Sequence, residues 1–138
     1  ERSGYVAGLK TLEEMNKIKS WNIISNQGKK LKLKLVNLGQ KYNLKIKISG
    51  LSSCPSFVIN SEKWIKYKTY ITQELLINKI LGANTIYLST SHNDKIIQKY
   101  INCLDKIFSK IKKCENNELD IDKILNSEVC HTGFKRLN

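Results

Sequence analysis

The residues best suited to chemistry gather in Ser89-Thr90-Ser91-His92-Asn93-Asp94. His92 stands between an apolar run and an amphipathic run, a junction where side chains often face a ligand. Its ring can instead hold the turn by hydrogen bonding to the backbone, and the sequence leaves both roles open. Elsewhere the chemistry thins out. Cys54 with His92 has the residue types of a nucleophile and base, but nothing local supports the pairing and Cys54 reads as structural. Cys130-His131 has no second pair at ligand spacing, so no metal site is expected. Asp105 reads as an exposed partner for lysine. Glu13 and Glu14 flank Lys10 and Lys17 at the spacing of a solvated helix face. Asp120 and Asp122 fit no calcium loop, and the glycines form neither a dinucleotide fingerprint nor a P-loop. No catalytic residue is assigned.

The elements that must position His92 can be read from periodicity. Thr85–Ile97 is a strand, Ile86-Tyr87-Leu88, feeding a helix across a polar turn. Ser91 stands three residues before Asp94, close to a capping box. Ile97, Ile101, Leu104, Phe108 and Ile111 then recur every three or four residues, a strongly amphipathic helix. Upstream, Tyr5–Lys19 shows helical spacing at Val6, Leu9, Leu12, Met15 and Ile18. Trp21–Tyr42 carries two patterns. Leu31, Leu33 and Leu35 alternate with lysines as in a strand, while Ile24, Gly28, Leu31, Leu35, Leu38 and Tyr42 follow a helix. The helical series is longer and its residues are good helix formers, so a helix is expected, with Gly28 a point of close packing. Lys45–Ser49 and Phe57-Val58-Ile59 read as neighbouring antiparallel strands across a loop of small residues. Ser61 is placed to cap the next helix and Gly82 to close it. Leu119–Leu125 reads as a short acidic helix. Phe134 and Leu137 are the only apolar anchors of the tail. The order α-α-β-β-α-β-α-α predicts an α+β domain: a small antiparallel three-stranded sheet with helices packed on one side.

Bulk properties narrow the function classes. A chain of 138 residues fits one domain with a real core. No apolar run is long enough to cross a bilayer, and no signal-peptide pattern is present. The start, Glu1-Arg2-Ser3-Gly4-Tyr5, lacks an initiator Met and reads as a cut through a longer protein, though a processed or trimmed chain would look the same. The net charge of +12 invites a nucleic-acid partner. However, Arg2 and Arg136 are the only arginines, and the lysines are spread among many Ile and Asn residues. Base readout leans on the arginine fork, so a solvated lysine surface is expected and nucleic acid is disfavoured. The four cysteines form no CxxC pair. Cys103 and Cys114, eleven residues apart on one helix face, lie too far apart to bond. Reduced thiols in a cytoplasmic protein are the reading.

Several segments, in order, resemble one family. Glu1-Arg2-Ser3-Gly4-Tyr5-Val6-Ala7-Gly8-Leu9-Lys10-Thr11-Leu12 is similar to its ER-x-G-x-x-A-A-L-A-T-[IL] stretch, and Leu44–Ile59 to its strand, Ser-Gly-Leu, strand hairpin. Gln73–Leu81 is similar to its Q-E-x-L-x-x-x-[IV]-L helix, and Ser89–Ile97 to its S-x-[AS]-H-[TN]-x-x-D-I turn, with Lys95-Ile96 replacing an acidic pair. Glu128–Leu137 resembles the tail of one branch. The family is the class III pyridoxal-phosphate aminotransferases. The chain resembles their C-terminal small domain, of the aspartate-aminotransferase fold, in the branch of glutamate-1-semialdehyde 2,1-aminomutase and its surface-polysaccharide relatives.

The resemblance implies a large domain before Glu1, carrying the cofactor lysine and the aspartate that pairs with the pyridine nitrogen. Pyridoxal phosphate is then expected in the full-length protein and no cofactor on this chain alone. The chain would close a cleft for a small amino or keto substrate and support a homodimer, with Ser49, Gly50, Ser52, Ser53, Ser89, Ser91 and His92 nearest the cleft. Two departures bear on the reaction. No arginine lies between Arg2 and Arg136 to bind a substrate carboxylate, and Gly82-Ala83-Asn84 stands where the mutases carry a Glu-containing loop. A different class of function, a lysine-rich module binding nucleic acid or an acidic partner, would show itself by steep salt dependence.

Overall fold

A computed structural model describes residues 2–131 and 133. Phe134, Leu137 and Arg136, with half of the tail motif, lie outside the described residues. Among the described residues, four helices and one hairpin form the fold: α1 (Ser3–Ile18), α2 (Ser20–Lys41), β1 (Ile46–Leu51), β2 (Cys54–Ile59), α3 (Trp64–Ile77) and α4 (Asp94–Glu115). The α+β class is as the sequence predicts.

The ambiguous segment is helical because of which residues it buries. Gly28, Leu31, Leu35 and Leu38 are the buried residues of one α2 face, whereas Leu33, which a strand would have grouped with Leu31 and Leu35, is 66% exposed. A Cβ on Gly28 would collide with the carbonyl oxygen of Ser52, so the missing side chain lets α2 lie directly on the hairpin turn. Along α4, Ile97, Ile101, Leu104, Phe108 and Ile111 are all buried, as their spacing requires.

β1 and β2 pair antiparallel, Ile46 opposite Ile59 through Leu51 opposite Cys54. Alternation along β2 buries Pro55, Phe57 and Ile59 against the helices and leaves Cys54, Ser56 and Val58 on the other face. Phe57 anchors the core. Its ring meets Phe108 of α4 edge-on at 5.8 Å and Trp64 of α3 at 6.4 Å. Leu31, Leu35, Tyr67, Ile71 and Leu104 close around it.

The expected third strand is a correction. Among the described residues the sheet has two strands, and Ile86–Leu88 is not one of them. The segment nevertheless runs antiparallel along the free edge of β2. Phe57 N–H donates to the Asn84 carbonyl at 3.0 Å, Ile86 N–H to the Pro55 carbonyl at 2.9 Å, and Leu88 N–H to the Ser53 carbonyl at 3.1 Å. Only Ser56 and Thr85 complete a bridge. The next rung needs an N–H from residue 55 to the Ile86 carbonyl, and Pro55 has none.

Four assignments also change. α3 has Lys63, not Ser61, at its N-cap and no side-chain cap; the Ser61 hydroxyl instead accepts from Lys63 N–H at 3.2 Å, ahead of the helix. α3 closes at Ile77 with Asn78 as its C-cap, not at Gly82. The left-handed residue beyond it is Lys79, at φ 58°, and Ile80 N–H returns to the Leu75 carbonyl at 2.9 Å. α4 is capped by Asn93, whose side chain accepts from Ile96 N–H at 3.0 Å, and not by Ser91. The acidic segment after α4 makes a single 3-10 turn, Ile121–Lys123, rather than a helix.

Candidate functional site

The seven cleft candidates lie along one end of the hairpin and the turn beside it. Ser49 is in β1 opposite Ser56, on the sheet face away from the helices. Gly50 follows at φ 80°, where a Cβ would press on the Cys54 carbonyl. Its own carbonyl accepts from Lys32 Nζ at 2.7 Å, which ties the hairpin tip to α2. Ser52 and Ser53 form the turn, Ser52 seated over Gly28. The bond from Leu88 N–H to the Ser53 carbonyl sets Ser89 next to that turn. Hairpin tip and polar turn, thirty-odd residues apart in sequence, are thus neighbours through one backbone bond.

His92 has a defined role in the turn. Ser89 N–H donates to its Nδ1 at 2.9 Å, and the Ser89 hydroxyl lies 3.1 Å from the same atom. The His92 N–H completes the turn on the Ser89 carbonyl at 3.1 Å. With Nδ1 accepting, the neutral ring carries its proton on Nε2, and that N–H is a donor aimed away from the turn. The turn-holding role and a ligand-facing role are therefore compatible: one nitrogen serves each. Ser91 is exposed, and its carbonyl accepts from Asn93 N–H at 2.9 Å.

Beside the turn is an apolar cavity of about 420 Å³, walled by Leu31 of α2, Ile86 and Leu88 of the third segment, and Ile97 and Tyr100 of α4; His92 reaches it too. Tyr100 braces the floor by donating from its hydroxyl to the Ala83 carbonyl at 3.1 Å. Burial holds that phenol well above the ordinary tyrosine range, so it stays protonated. The sequence reading missed this cavity. Its walls come from three separated segments, and the one local clue was that no glycine follows α3 directly, which leaves Lys79 in the left-handed position at its rim.

The other reactive types are structural. Cys103 and Cys114 are buried on α4, and burial pushes both thiols up, which disfavours the reactive thiolate. Cys54 pairs with Leu51 in the hairpin. Asp105 accepts from Lys41 Nζ at 2.7 Å and from the Tyr42 hydroxyl at 3.1 Å, and that carboxylate holds the Lys41 ammonium above its usual range. It is the lysine partner the sequence suggests. Nor do these residues make a pocket for a pyridoxal cofactor. The two lysines at the cavity, Lys79 and Lys99, are exposed, and no Asp or Glu lines it to pair with a pyridine nitrogen.

No helix among the described residues is long and apolar enough to cross a membrane. No family model matches the chain, and no curated protein matches it by sequence. A solved structure does match in fold. It is the FumI protein of Sphingopyxis sp. MTA144 in its PLP internal aldimine form, superposing with a TM-score of 0.71 at 17% identity over 86% of this chain. The match covers 29% of FumI, so the chain has the fold of less than a third of that protein.

Proposed function

We propose that this chain is the C-terminal domain of a pyridoxal-phosphate-dependent aminotransferase or aminomutase, of the glutamate-1-semialdehyde aminomutase type, acting in the cytoplasm. The observation that carries the reading is the fold shared with one part of a PLP-bound protein, over 86% of this chain but 29% of the other. The ordered run of sequence resemblances supports the same reading independently. The cofactor, when bound, supplies the electron sink for moving an amino group. Its lysine and aspartate belong in this proposal to a large domain preceding Glu1. This chain's part is to close the substrate cleft, with the Ser49–Ser53 hairpin tip and the Ser89–His92 turn facing a small amino or keto substrate, and to support a homodimer. His92 holds the turn through Nδ1 and offers Nε2–H to the cleft. It positions or contacts substrate and does no covalent chemistry. The absence of arginine between Arg2 and Arg136 and the short Gly82-Ala83-Asn84 loop favour transamination of a keto substrate over strict mutase action.

The test is borohydride reduction of the protein translated from the whole reading frame, followed by peptide mapping. One lysine upstream of Glu1 is expected to carry the reduced cofactor. A reading frame with no upstream domain, or a labelled lysine within this chain, would overturn the proposal.

A further inference from the structure

The cavity beside His92 has a chemistry of its own. Its body is hydrocarbon, from Leu31, Ile86, Leu88 and Ile97. Its polar side chains are the cations Lys79 and Lys99, the imidazole of His92 with its Nε2–H, and the phenols of Tyr87 and Tyr100. Among the described residues no carboxylate lines it. The acids nearest in sequence are engaged elsewhere, Asp94 with Lys30 at 3.5 Å and Glu74 with Lys110 at 3.8 Å. The Tyr100 hydroxyl already donates to the Ala83 carbonyl, and Tyr87 is exposed. Lys79 reaches the rim only by taking a left-handed backbone at φ 58°, a conformation that disfavours any residue with a Cβ. Two cations and an imidazole donor in the lining of a largely apolar cavity of about 420 Å³, with no carboxylate beside them, suit a ligand with an anionic head and a hydrocarbon body.

We propose that this cavity binds an amphipathic organic anion, a medium-chain carboxylate being the simplest example. The carboxylate sits between Lys79 and Lys99 with His92 Nε2–H donating to it, and the chain lies against Ile97 and Leu31. The proposal does not rest on the aminotransferase reading, because binding is a property of this chain's own residues.

Calorimetric titration of the chain with sodium octanoate, 1-octanol and sodium butyrate tests it, with the His92 ring protons followed by NMR. Octanoate is expected to bind at least about tenfold more tightly than either control, since it alone combines the charge-assisted bonds with the buried chain. It should shift the His92 ring signals. Lys79→Met with Lys99→Met should weaken octanoate about tenfold and leave octanol unchanged. Lys95→Met with Lys106→Met removes the same net charge outside this cavity and should change octanoate binding less than about twofold. Octanol binding as tightly as octanoate, equal losses in the two double variants, or no octanoate binding at millimolar concentration would each overturn the proposal. Were the first double variant to misfold, the octanoate–octanol comparison and the His92 shift on the unaltered chain decide the matter alone.

Discussion

At the scale of single residues, the polar turn divides its work between neighbours that the sequence makes look interchangeable. Ser91 and Asn93 are both good caps, and the Ser91–Asp94 spacing favours the serine. The choice falls to Asn93 because the Ser89–His92 turn, closed by the imidazole, occupies the residues where a Ser91 cap would sit. The Asn93 side chain then meets the Ile96 N–H, and Asp94 is left as the acidic residue of the first turn, favourable beside the helix dipole. Asn93→Ala should therefore lower stability by about 1 kcal/mol, whereas Ser91→Ala should cost only a few tenths. Urea melts of the two variants decide it, and the reverse ranking would restore Ser91 as the cap. His92 itself was legible as a residue of interest. What the sequence could not show is that its two nitrogens have different tasks, since that follows from the direction of the Ser89 N–H.

At the scale of elements, what was legible depended on whether an element is specified by its own residues or by its neighbour's. α4 was legible in full, because a buried face at every third or fourth position is written into one segment. α2 was legible once the longer of two periodicities was chosen, and Gly28 marked where it touches the hairpin. Ile86–Leu88 has the composition of a strand but pairs only in part, for a reason that lies in β2: at residue 55 the edge it meets offers a carbonyl and no N–H. Pro55→Ala supplies that donor. Hydrogen exchange should then find a protected amide at residue 55 and slower exchange at Leu88, as the rung between Cys54 and Tyr87 closes. An amide at 55 that exchanges as fast as in an open loop would mean that the segment is held off by something other than the missing bond. The end of α3 was misread for a related reason. Gly82 is the residue type that closes helices, but the chain turns five residues earlier and accepts a left-handed lysine. The cavity, assembled from α2, the third segment and α4, could not be read from any one of them.

At the scale of the whole molecule, the apolar surface is unevenly distributed. The core is closed by α2, α3, α4 and the inner face of the hairpin, while α1 buries none of its residues. Tyr5, Val6, Leu9 and Leu12, spaced along one side of α1, are between 63% and 79% exposed. A helical stripe of that kind contributes nothing to stability unless something covers it, and its spacing in the sequence marks a helix without saying what lies against it. The proposed function calls for a cover: a large domain preceding Glu1, where that proposal puts it, would lie against α1. The two situations separate energetically. In this chain alone, Leu9→Ala with Leu12→Ala exchanges two exposed side chains for a better helix former, and stability should change by no more than about 0.5 kcal/mol. In the longer protein the same two leucines would be buried, and each truncation should cost about 2–5 kcal/mol of the stability of domain association. Denaturant melts of the pair in both contexts read the difference directly. A change equally small in both would show α1 to be uncovered in the longer protein as well, and would remove the interface from the proposal while leaving the fold match in place.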